Sequence, residues 1–337
     1  MKPKTLSMKK FIRVLKWVGI VVALLVIGLL VAVYTLKDRT FESPAIDIKA
    51  STDSSVIARG KYLANGPAHC AHCHVPNDKM AMVDEGQIIP MSGGRLFELP
   101  IGNIYTPNIT SDKETGIGAW SDAEIARVLR YGVKNNGHAL FPFMPFYDIA
   151  ESDLLAIVSY LRTLAPVKNK VQDNEFNFMG NVVRAFIMKP EGLKTENRPK
   201  ILATINPDSS TEYGSYLAKY VANCVGCHTD RDLKTGEFTG PAFAGGFKLP
   251  GEGNPDVTMV SPNITPDAET GVMHSWSEEM FIKRFRAGRT IKESPMPWGP
   301  FSRMSDMELK ALYRFLQTVK PVNQNNGPTM VKTADLK

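Results

Sequence analysis

Two copies of the pattern Cys-x-x-Cys-His restrict the fold and chemistry of this chain more than any other feature. The first copy runs from Cys70 to His74 and the second from Cys224 to His228. In this pattern both thiols form thioethers with the vinyl groups of a haem, and the histidine lies under the iron as its proximal ligand. The sequence therefore predicts two covalently attached haem c groups, bound by Cys70, Cys73, His74, Cys224, Cys227 and His228.

Other uses of paired cysteines fit this sequence less well. A Cys-x-x-Cys pair can be half of a zinc site or a thioredoxin-type redox pair. A four-cysteine zinc site would not need a histidine directly after each pair, and thioredoxin chemistry would need a strand-to-helix setting. All four cysteines of the chain belong to the two copies. None remains for a disulfide or a catalytic thiolate.

The second axial ligand of each iron separates an electron carrier from a catalyst. A methionine raises the haem potential and closes the iron to substrates. Met144 and Met296 each precede a proline in a Pro-rich segment, at the same point of the two halves, so we predict them as the second ligands. Core filling is the alternative role for a methionine, and Met91 and Met304 lack such counterparts. His138 is the rival ligand in the first half, although a solvated loop position is favoured.

Residues around each predicted haem repeat in register and are candidates for supporting contacts. A haem-ligating histidine usually donates its other ring N–H to a carbonyl or carboxylate, and Pro107 and Pro262 are the predicted carbonyl acceptors. His69 and His72 lack counterparts and are predicted at the surface near the haem edge. Four residues could donate to the haem propionates, with packing (Trp) or a solvated helix face (Arg) as the alternatives: Trp120, Trp276, Arg130 and Arg286.

The two halves of the chain share an ordered series of short matches. Ser121-x-x-Glu124 and Ser305-x-x-Glu308 predict capping boxes that open helices. Apolar residues at helical spacing follow, over 154–161 and 309–319, and each helix should end before a proline, Pro166 or Pro321. The Gly- and Pro-rich stretch between each haem motif and its tryptophan is predicted as a long loop. The matching segments are Gly60–Ala64 with Gly214–Ala218, Pro107–Thr110 with Pro262–Thr265, Glu114–Gly116 with Glu269–Gly271, and Trp120–Ser121 with Trp276–Ser277.

An uncharged run of 20 residues, Trp17–Leu36, precedes the first half. At about 1.5 Å per residue it spans the hydrocarbon core of a bilayer as a helix. Six basic residues come before this run, which predicts that the N-terminus stays in the cytoplasm and the bulk of the chain is exported. A cleaved signal peptide is the alternative, but the run exceeds a typical signal-peptide core. An uncleaved anchor is favoured, with the haem domains on the periplasmic side of a bacterial inner membrane.

The net charge of +6 depends on the N-terminal region. Of 40 basic and 34 acidic residues, eight basic and one acidic lie in residues 1–40, which leaves 32 against 33, or −1, for the rest. This balance gives no support for a nucleic-acid partner.

These observations divide the chain into consecutive segments. Apolar side chains in the segment between the two domains predict that it packs along them. The predicted segments are a cytoplasmic basic N-terminus (1–16), a transmembrane anchor (17–36), a tether (37–54), haem domain 1 (55–165), a packed linker (166–210), haem domain 2 (211–322) and a disordered tail (323–337).

The haem motifs followed by Pro-Asn-Ile-Thr, Thr-Gly, Trp-Ser and Met-Pro resemble the cytochrome c subunits of bacterial membrane-bound alcohol, gluconate and related sugar dehydrogenases. The resemblance covers about residues 55–322. Together with the repeated matches and the apolar run 17–36, it gives the predicted fold class. That class is mainly α, with a tandem duplication of two cytochrome c-like haem domains after one N-terminal transmembrane helix. The resemblance also implies that the Cys, His and Met residues named above hold haem c, and that electrons arrive from a dehydrogenase subunit.

The predicted function is electron transfer between a dehydrogenase and the respiratory chain, without substrate chemistry of its own. One alternative is a dihaem subunit of a haem–copper terminal oxidase, which would change the redox partner and the direction of electron flow. A less favoured alternative is a dihaem peroxidase, in which His138 would supply an acid–base group.

Overall fold

The computed structural model describes residues 8–194, 198–232 and 236–336. The first helix, α1, spans Met8–Leu36 and so begins before the predicted anchor. Residues 1–7 of the predicted basic N-terminus lie outside the described residues. Val33 is the one buried residue of α1, and by length and composition this helix can cross a membrane.

The described chain is mainly helical, and its elements form two units with similar order. The first unit, residues 54–176, contains α2 (Ser54–Asn65), α3 (Cys70–Cys73), α4 (Met80–Asp84), α5 (Asp122–Tyr131) and α6 (Glu151–Arg162). A connecting helix, α7, spans Phe178–Val182 and continues as a π-helical turn, Val183–Ile187. The second unit, residues 211–332, contains α8 (Thr211–Tyr216), α9 (Cys224–Cys227), α10 (Val272–Ser275), α11 (Glu278–Arg286), α12 (Trp298–Ser302) and α13 (Asp306–Leu316).

Both predicted capping boxes are confirmed. The Ser121 and Ser305 hydroxyls accept hydrogen bonds from the backbone N–H groups of Glu124 and Glu308, whose carboxylates bond back to the cap residues. These bonds satisfy donors that every helix N-terminus would otherwise leave free. The helix predicted over 154–161 is confirmed as α6, and the helix predicted over 309–319 is confirmed as α13 up to Leu316, where it ends before Val319.

In each unit the helix before the haem motif crosses the last helix at very short range. Gly60 of α2 lies against the backbone of Ala156 in α6, and Gly214 of α8 lies against Ala311 in α13. A Cβ atom at either glycine would overlap the facing carbonyl oxygen. The two glycines of the repeated Gly-x-Tyr-Leu-Ala segment therefore set the distance between these helices.

We expect Gly60→Ala to destabilise the protein by about 3 kcal/mol, because overpacking a close helix crossing forces the backbones apart. At an open helical position the same change would stabilise by up to about 1 kcal/mol. Gly28→Ala in α1 is the control, since nothing lies within 4 Å of its added Cβ. Thermal denaturation in detergent measures both variants, and an unchanged or raised melting temperature for Gly60→Ala would contradict the expectation.

Each predicted long loop contains an antiparallel hairpin, which the sequence interpretation missed. In the first unit β1 (Leu96–Leu99) pairs with β2 (Gly102–Tyr105), and in the second β4 (Lys248–Gly251) pairs with β5 (Asn254–Val260). A third strand completes each sheet, β3 (Glu175–Phe176) on β2 and β6 (Met330–Lys332) on β5. Glycines and prolines obscured the alternating pattern by which short strands are recognised.

The predicted disordered tail, 323–337, is ordered over its described part, 323–336. β6 covers the edge of β5, and the side chain of Asn326 donates to the Ala244 carbonyl oxygen at 2.7 Å. The linker does the same in the first unit, where Asn169 donates to the Ser92 carbonyl oxygen at 2.9 Å and β3 covers β2. The tail is held in place because its strand β6 pairs with β5, as β3 pairs with β2 in the first unit.

The predicted tether, residues 37–54, also packs on the first unit. The backbone N–H of Ala50 donates to the Asp122 carboxylate at 2.7 Å, and that of Ser51 donates to the Ser159 hydroxyl at 2.9 Å. This segment therefore holds the first unit close to the end of α1.

A buried polar network joins the two units across the contact between α2, α6, α8 and α13. Tyr62 donates to Glu308 of the other unit, and Tyr216 donates to Asp153 of the other unit at 2.9 Å. Arg59 forms a two-pronged ion pair with Asp153, at 2.9 and 3.0 Å. Both carboxylates are almost fully buried, so the network fixes the units in one relative arrangement.

Candidate functional site

Each Cys-x-x-Cys pair occupies a single helical turn, α3 or α9. The residue before each turn, His69 or Asn223, adopts the left-handed conformation, with φ of 42° and 54°. Helical geometry brings the first and fourth residues of a turn to the same side. The four cysteines are unpaired thiols in the structure, so both pairs can bond a haem.

The histidine that ends each turn is held by a proline carbonyl. Nδ1 of His74 lies 2.9 Å from the carbonyl oxygen of Pro107, and Nδ1 of His228 lies 3.0 Å from that of Pro262. These are the contacts predicted from the sequence. Because Nδ1 donates to the carbonyl, Nε2 carries the lone pair that an iron would accept. Burial lowers the pKa of both histidines, which favours this neutral, ligating form.

An asparagine in each Pro-Asn-Ile-Thr segment fixes the loop that carries this carbonyl, a role that the sequence interpretation missed. Oδ1 of Asn108 accepts from the backbone N–H and the hydroxyl of Thr110, at 3.0 and 2.7 Å, and its Nδ2 donates to Val167 at 2.8 Å. Asn263 makes the same set of bonds to Thr265 and Val322. The repeated Asn-x-Thr spacing was the available signal, because asparagine bonds its own backbone two residues on.

A glycine on the opposite side of each loop completes this support. The N–H of Gly93 donates to the His74 carbonyl oxygen, and that of Gly245 to the His228 carbonyl oxygen, both at 2.8 Å. Both glycines have φ of 75°, and an added Cβ would collide with the backbone of Pro107 or Pro262. Only glycine combines this conformation with so close an approach.

Met144 and Met296 lie in corresponding loops. Each loop leads into a short helical turn before the last helix of its unit, Phe146–Asp148 or α12. Both side chains are half-buried and pack against the hydrophobic core, whereas Met91 and Met304 are fully buried within it. Met144 and Met296 therefore remain the predicted second ligands.

His72 is buried, in contrast to the predicted surface position. Its Nδ1 has no hydrogen-bond partner among the described residues, and burial lowers its pKa well below the usual range, as do the nearby positive charges of Arg95 and Arg289. Arg95 donates to the His72 carbonyl oxygen at 2.5 Å and pairs with Glu252 of the second unit. The contact between the units buries this histidine, and a single motif cannot reveal that contact.

Arg130 and Arg286 bond to protein groups instead of pointing at a free cavity. Buried Arg130 donates to the carbonyl oxygens of Tyr147 and Ile149, at 2.9 and 2.7 Å. Arg286 donates to the Ser302 carbonyl oxygen and pairs with Asp306. Both contacts join a helix to the segment after the methionine loop, and the propionate role of the two arginines stays a prediction. Burial of Arg130 also excludes the solvated-face alternative for that residue.

Trp120 and Trp276 pack against the hydrophobic core, as the packing alternative expected. Their backbone carbonyl oxygens accept bonds from Arg162 and from Tyr313 of the last helices. His138 is half-buried, with Nδ1 3.3 Å from the carbonyl oxygen of Arg39. This position ties the loop after α5 to the segment that leaves α1.

The donor set fits haem better than a bare metal ion. Within the described residues no group of three or more His, Cys, Asp or Glu side chains could hold a metal ion. Burial raises the pKa of the Cys70 and Cys224 thiols to about 12, so neither is a thiolate at neutral pH. Thioether formation with haem consumes the thiols and leaves a single histidine nitrogen for the iron on that side.

A helical unit with Cys-x-x-Cys-His on one turn and a carbonyl-held histidine is the arrangement that c-type cytochrome domains have. Residues 57–165 match the family model of cytochrome c. The chain is 27% identical to the fructose dehydrogenase cytochrome subunit of Gluconobacter japonicus, over 85% of this chain and 57% of that protein. It is 27% identical to the gluconate 2-dehydrogenase cytochrome c subunit of Pantoea cypripedii, over 79% of this chain and 60% of that protein.

A third relative is a diheme cytochrome c-type protein of Cereibacter sphaeroides, 26% identical over 58% of this chain and 63% of that protein. The chain thus spans less than two thirds of the length of each of these relatives. The resemblance to cytochrome c subunits of dehydrogenases is confirmed, and haem c is the cofactor that this family implies.

Proposed function

We propose that this protein is a membrane-anchored dihaem c-type cytochrome that carries electrons between a dehydrogenase and the respiratory chain. The observation that carries the proposal is the repeated support of His74 and His228 by a proline carbonyl, an asparagine and a glycine. We infer two cytochrome c domains by tandem duplication, at 55–165 and 211–322, with the intervening linker and the C-terminal segment each completing one sheet.

Each residue at the sites has a definite role in this proposal. The cysteines would attach the two haems, and His74 with Met144, and His228 with Met296, would hold the two irons. The haem irons supply one-electron transfer between ferric and ferrous states. Pro107 and Pro262 keep each histidine in the ligating tautomer and orientation, so that little reorganisation accompanies a change of charge. Two protein ligands on each iron leave no position for a substrate, which is why we propose no catalysis by this chain.

The named relatives support a dehydrogenase as the partner over a terminal oxidase, because two of them are cytochrome subunits of sugar-acid or sugar dehydrogenases by name. The contact of His138 with Arg39 gives no support to an acid–base role in a peroxidase. In this proposal α1 is the anchor and both haem domains lie at the periplasmic face of the inner membrane. An exported location also agrees with the sequence, since six basic residues precede the apolar run of α1.

The number of haems is tested by the ratio of haem to protein in the purified full-length chain. We expect two haems per chain, and one after replacement of Cys224 and Cys227 by alanine. The matched variant at Cys70 and Cys73 should also retain one. One haem in the unchanged protein would contradict the proposed second domain.

The partner is tested by affinity purification of the tagged protein from mildly solubilised membranes of its host, followed by reduction of its haems. A flavin or quinone-cofactor dehydrogenase should co-purify, and addition of that enzyme's substrate should reduce both haems. Co-purification of a terminal oxidase, with no substrate-dependent reduction, would reverse the assigned direction of electron flow.

A further inference from the structure

A cavity of about 80 Å³ lies beside the C-terminal end of α1. Four basic side chains line it, those of Lys37, Arg39, Lys134 and Arg184, and its described lining contains no acidic residue. Lys37 directly follows Leu36, the last residue of α1. If α1 spans a membrane, the cavity lies where the helix leaves the bilayer.

The positive charge of this cavity is only partly compensated. Asp38 pairs with Lys37 and with Arg184, both at 2.7 Å. Among the described residues no carboxylate lies within ion-pair distance of Lys134. Burial lowers the pKa of Lys134, as does the charge of Arg184, while Asp173 acts in the opposite direction from a distance.

Arg39 also has a guanidinium N–H that donates no hydrogen bond to the described residues. One guanidinium nitrogen donates to the Met188 carbonyl oxygen at 2.7 Å, but the buried Nε has no hydrogen-bond partner in the described structure. A buried donor without a partner is costly. The cavity therefore combines surplus positive charge with an unsatisfied N–H, the features that an anion with several oxygens would satisfy.

Apolar surface surrounds the cavity on the side of α1. Phe41, Phe141 and Phe176 form part of its wall. Next to it α7 and its π-helical continuation pack against α1. Four large apolar side chains of this segment are 42–49% exposed: Phe178, Met179, Phe186 and Ile187. Exposed apolar groups next to a membrane-crossing helix fit an apolar medium better than water.

We propose that this cavity binds the phosphate of an anionic phospholipid from the periplasmic leaflet, whose acyl chains lie along α1 and the exposed side chains of 178–187. This inference rests on the proposed membrane anchor. Residues on the exported side of a membrane helix are usually poor in Lys and Arg. Four basic side chains at this end of α1 therefore indicate a site that binds an anion. The volume suits a phosphate group, since larger ligands occupy pockets of about 300 Å³ or more.

The test is native mass spectrometry of the full-length haem-loaded protein in detergent, with phosphatidylglycerol and phosphatidylcholine of equal chain length as competing probes. We expect preferential retention of phosphatidylglycerol, reduced about tenfold or more in a variant with Arg39→Gln and Lys134→Gln, because each base near a membrane surface contributes to anionic-lipid affinity. The matched control is Lys168→Gln with Lys292→Gln, which removes the same charge from exposed sites.

Equal retention of the two lipids by the unchanged protein, or unchanged preference in the double variant, would overturn the proposal. Displacement of phosphatidylglycerol by millimolar inorganic phosphate would also overturn it, since the site would then recognise the free anion. If the double variant misfolds, Lys134→Gln alone serves as the test. The Lys134 ammonium pairs with no described carboxylate, so its removal breaks no ion pair of the described structure. Alkaline extraction of membranes tests the anchor in the same variants, and substrate-dependent reduction of their haems tests electron transfer separately.

Discussion

Replacement of Asp153 by alanine is expected to destabilise the protein by about 3 kcal/mol, because it breaks a buried ion pair and leaves Arg59 with only its longer contact to Glu308, at 3.6 Å. Asp153 accepts two bonds from Arg59 and one from Tyr216 of the second unit. The loss should lower the midpoint of denaturant unfolding, followed by haem absorbance and by circular dichroism.

Glu114→Ala is the matched control for this carboxylate. Glu114 pairs with Lys168 at the surface, where both side chains are about 70% exposed, and such pairs contribute about 0.5 kcal/mol or less. Equal effects of the two substitutions would show that the buried network does not hold the units together.

Replacement of Met144 or Met296 by leucine is expected to lower the potential of one haem by on the order of 0.1 V, because methionine ligation raises haem potentials and axial ligands set them over about 0.8 V. The variant should also lose half of the absorbance that reports methionine sulfur on ferric haem. It should gain rapid carbon monoxide binding at one reduced haem. The double variant should show these changes at both haems, which spectroelectrochemical titration would resolve.

Met91→Leu and Met304→Leu are the controls for the proposed ligands. Both methionines are 1% exposed within the core, and a leucine of similar volume should cost less than about 1.5 kcal/mol there. Their haem potentials and spectra should stay unchanged. A reduced sulfur absorbance in Met91→Leu or Met304→Leu would move the ligand assignment to a different methionine. An undiminished absorbance in Met144→Leu would do the same.

In the proposed function, the buried network and the supports of His74 and His228 would hold the two haem sites in a rigid frame. Each proline carbonyl is fixed by an asparagine on one side and a glycine on the other. Between the units, Arg95 and Glu252 form a further ion pair at 2.7 Å. Such contacts would keep the haem environment constant in the proposed electron transfer, since ligating histidines tune a metal through their outer hydrogen bonds.

Local features of this protein could be predicted from the sequence because their causes are local. The capping boxes at Ser121 and Ser305 follow from side chains three residues apart, and α6 and α13 from apolar spacing. The carbonyl partners of His74 and His228 were predicted because a ligating histidine needs an acceptor and a repeated proline loop supplies one. The resemblance to cytochrome c subunits was also recognised from short motifs, the Cys-x-x-Cys-His pattern and the Pro-Asn-Ile-Thr segment.

Features that depend on contact between distant segments could not be predicted in the same way. Burial of His72 and the guanidinium contacts of Arg130 arise from residues far away in the chain. The order of residues 323–336 depends on a hairpin that the sequence interpretation took for a loop. The Pro166-Val167 and Pro321-Val322 segments after α6 and α13 were a usable signal, since each precedes the strand that covers the hairpin of its own unit.

The sequence by itself determined the predicted cofactor chemistry, the predicted proximal ligands and the apolar helix. A haem-attachment motif and a long apolar run are each contained in one short segment, so neither depends on contacts with the rest of the fold. Only the tertiary structure decided how the two units meet, which methionines are buried in the core, and that four bases surround a cavity at the end of α1. Whether a side chain is buried or its charge is compensated depends on the residues around it. The residues around Lys134 and Asp153 come from segments that are distant in the sequence, so no sequence pattern relates them.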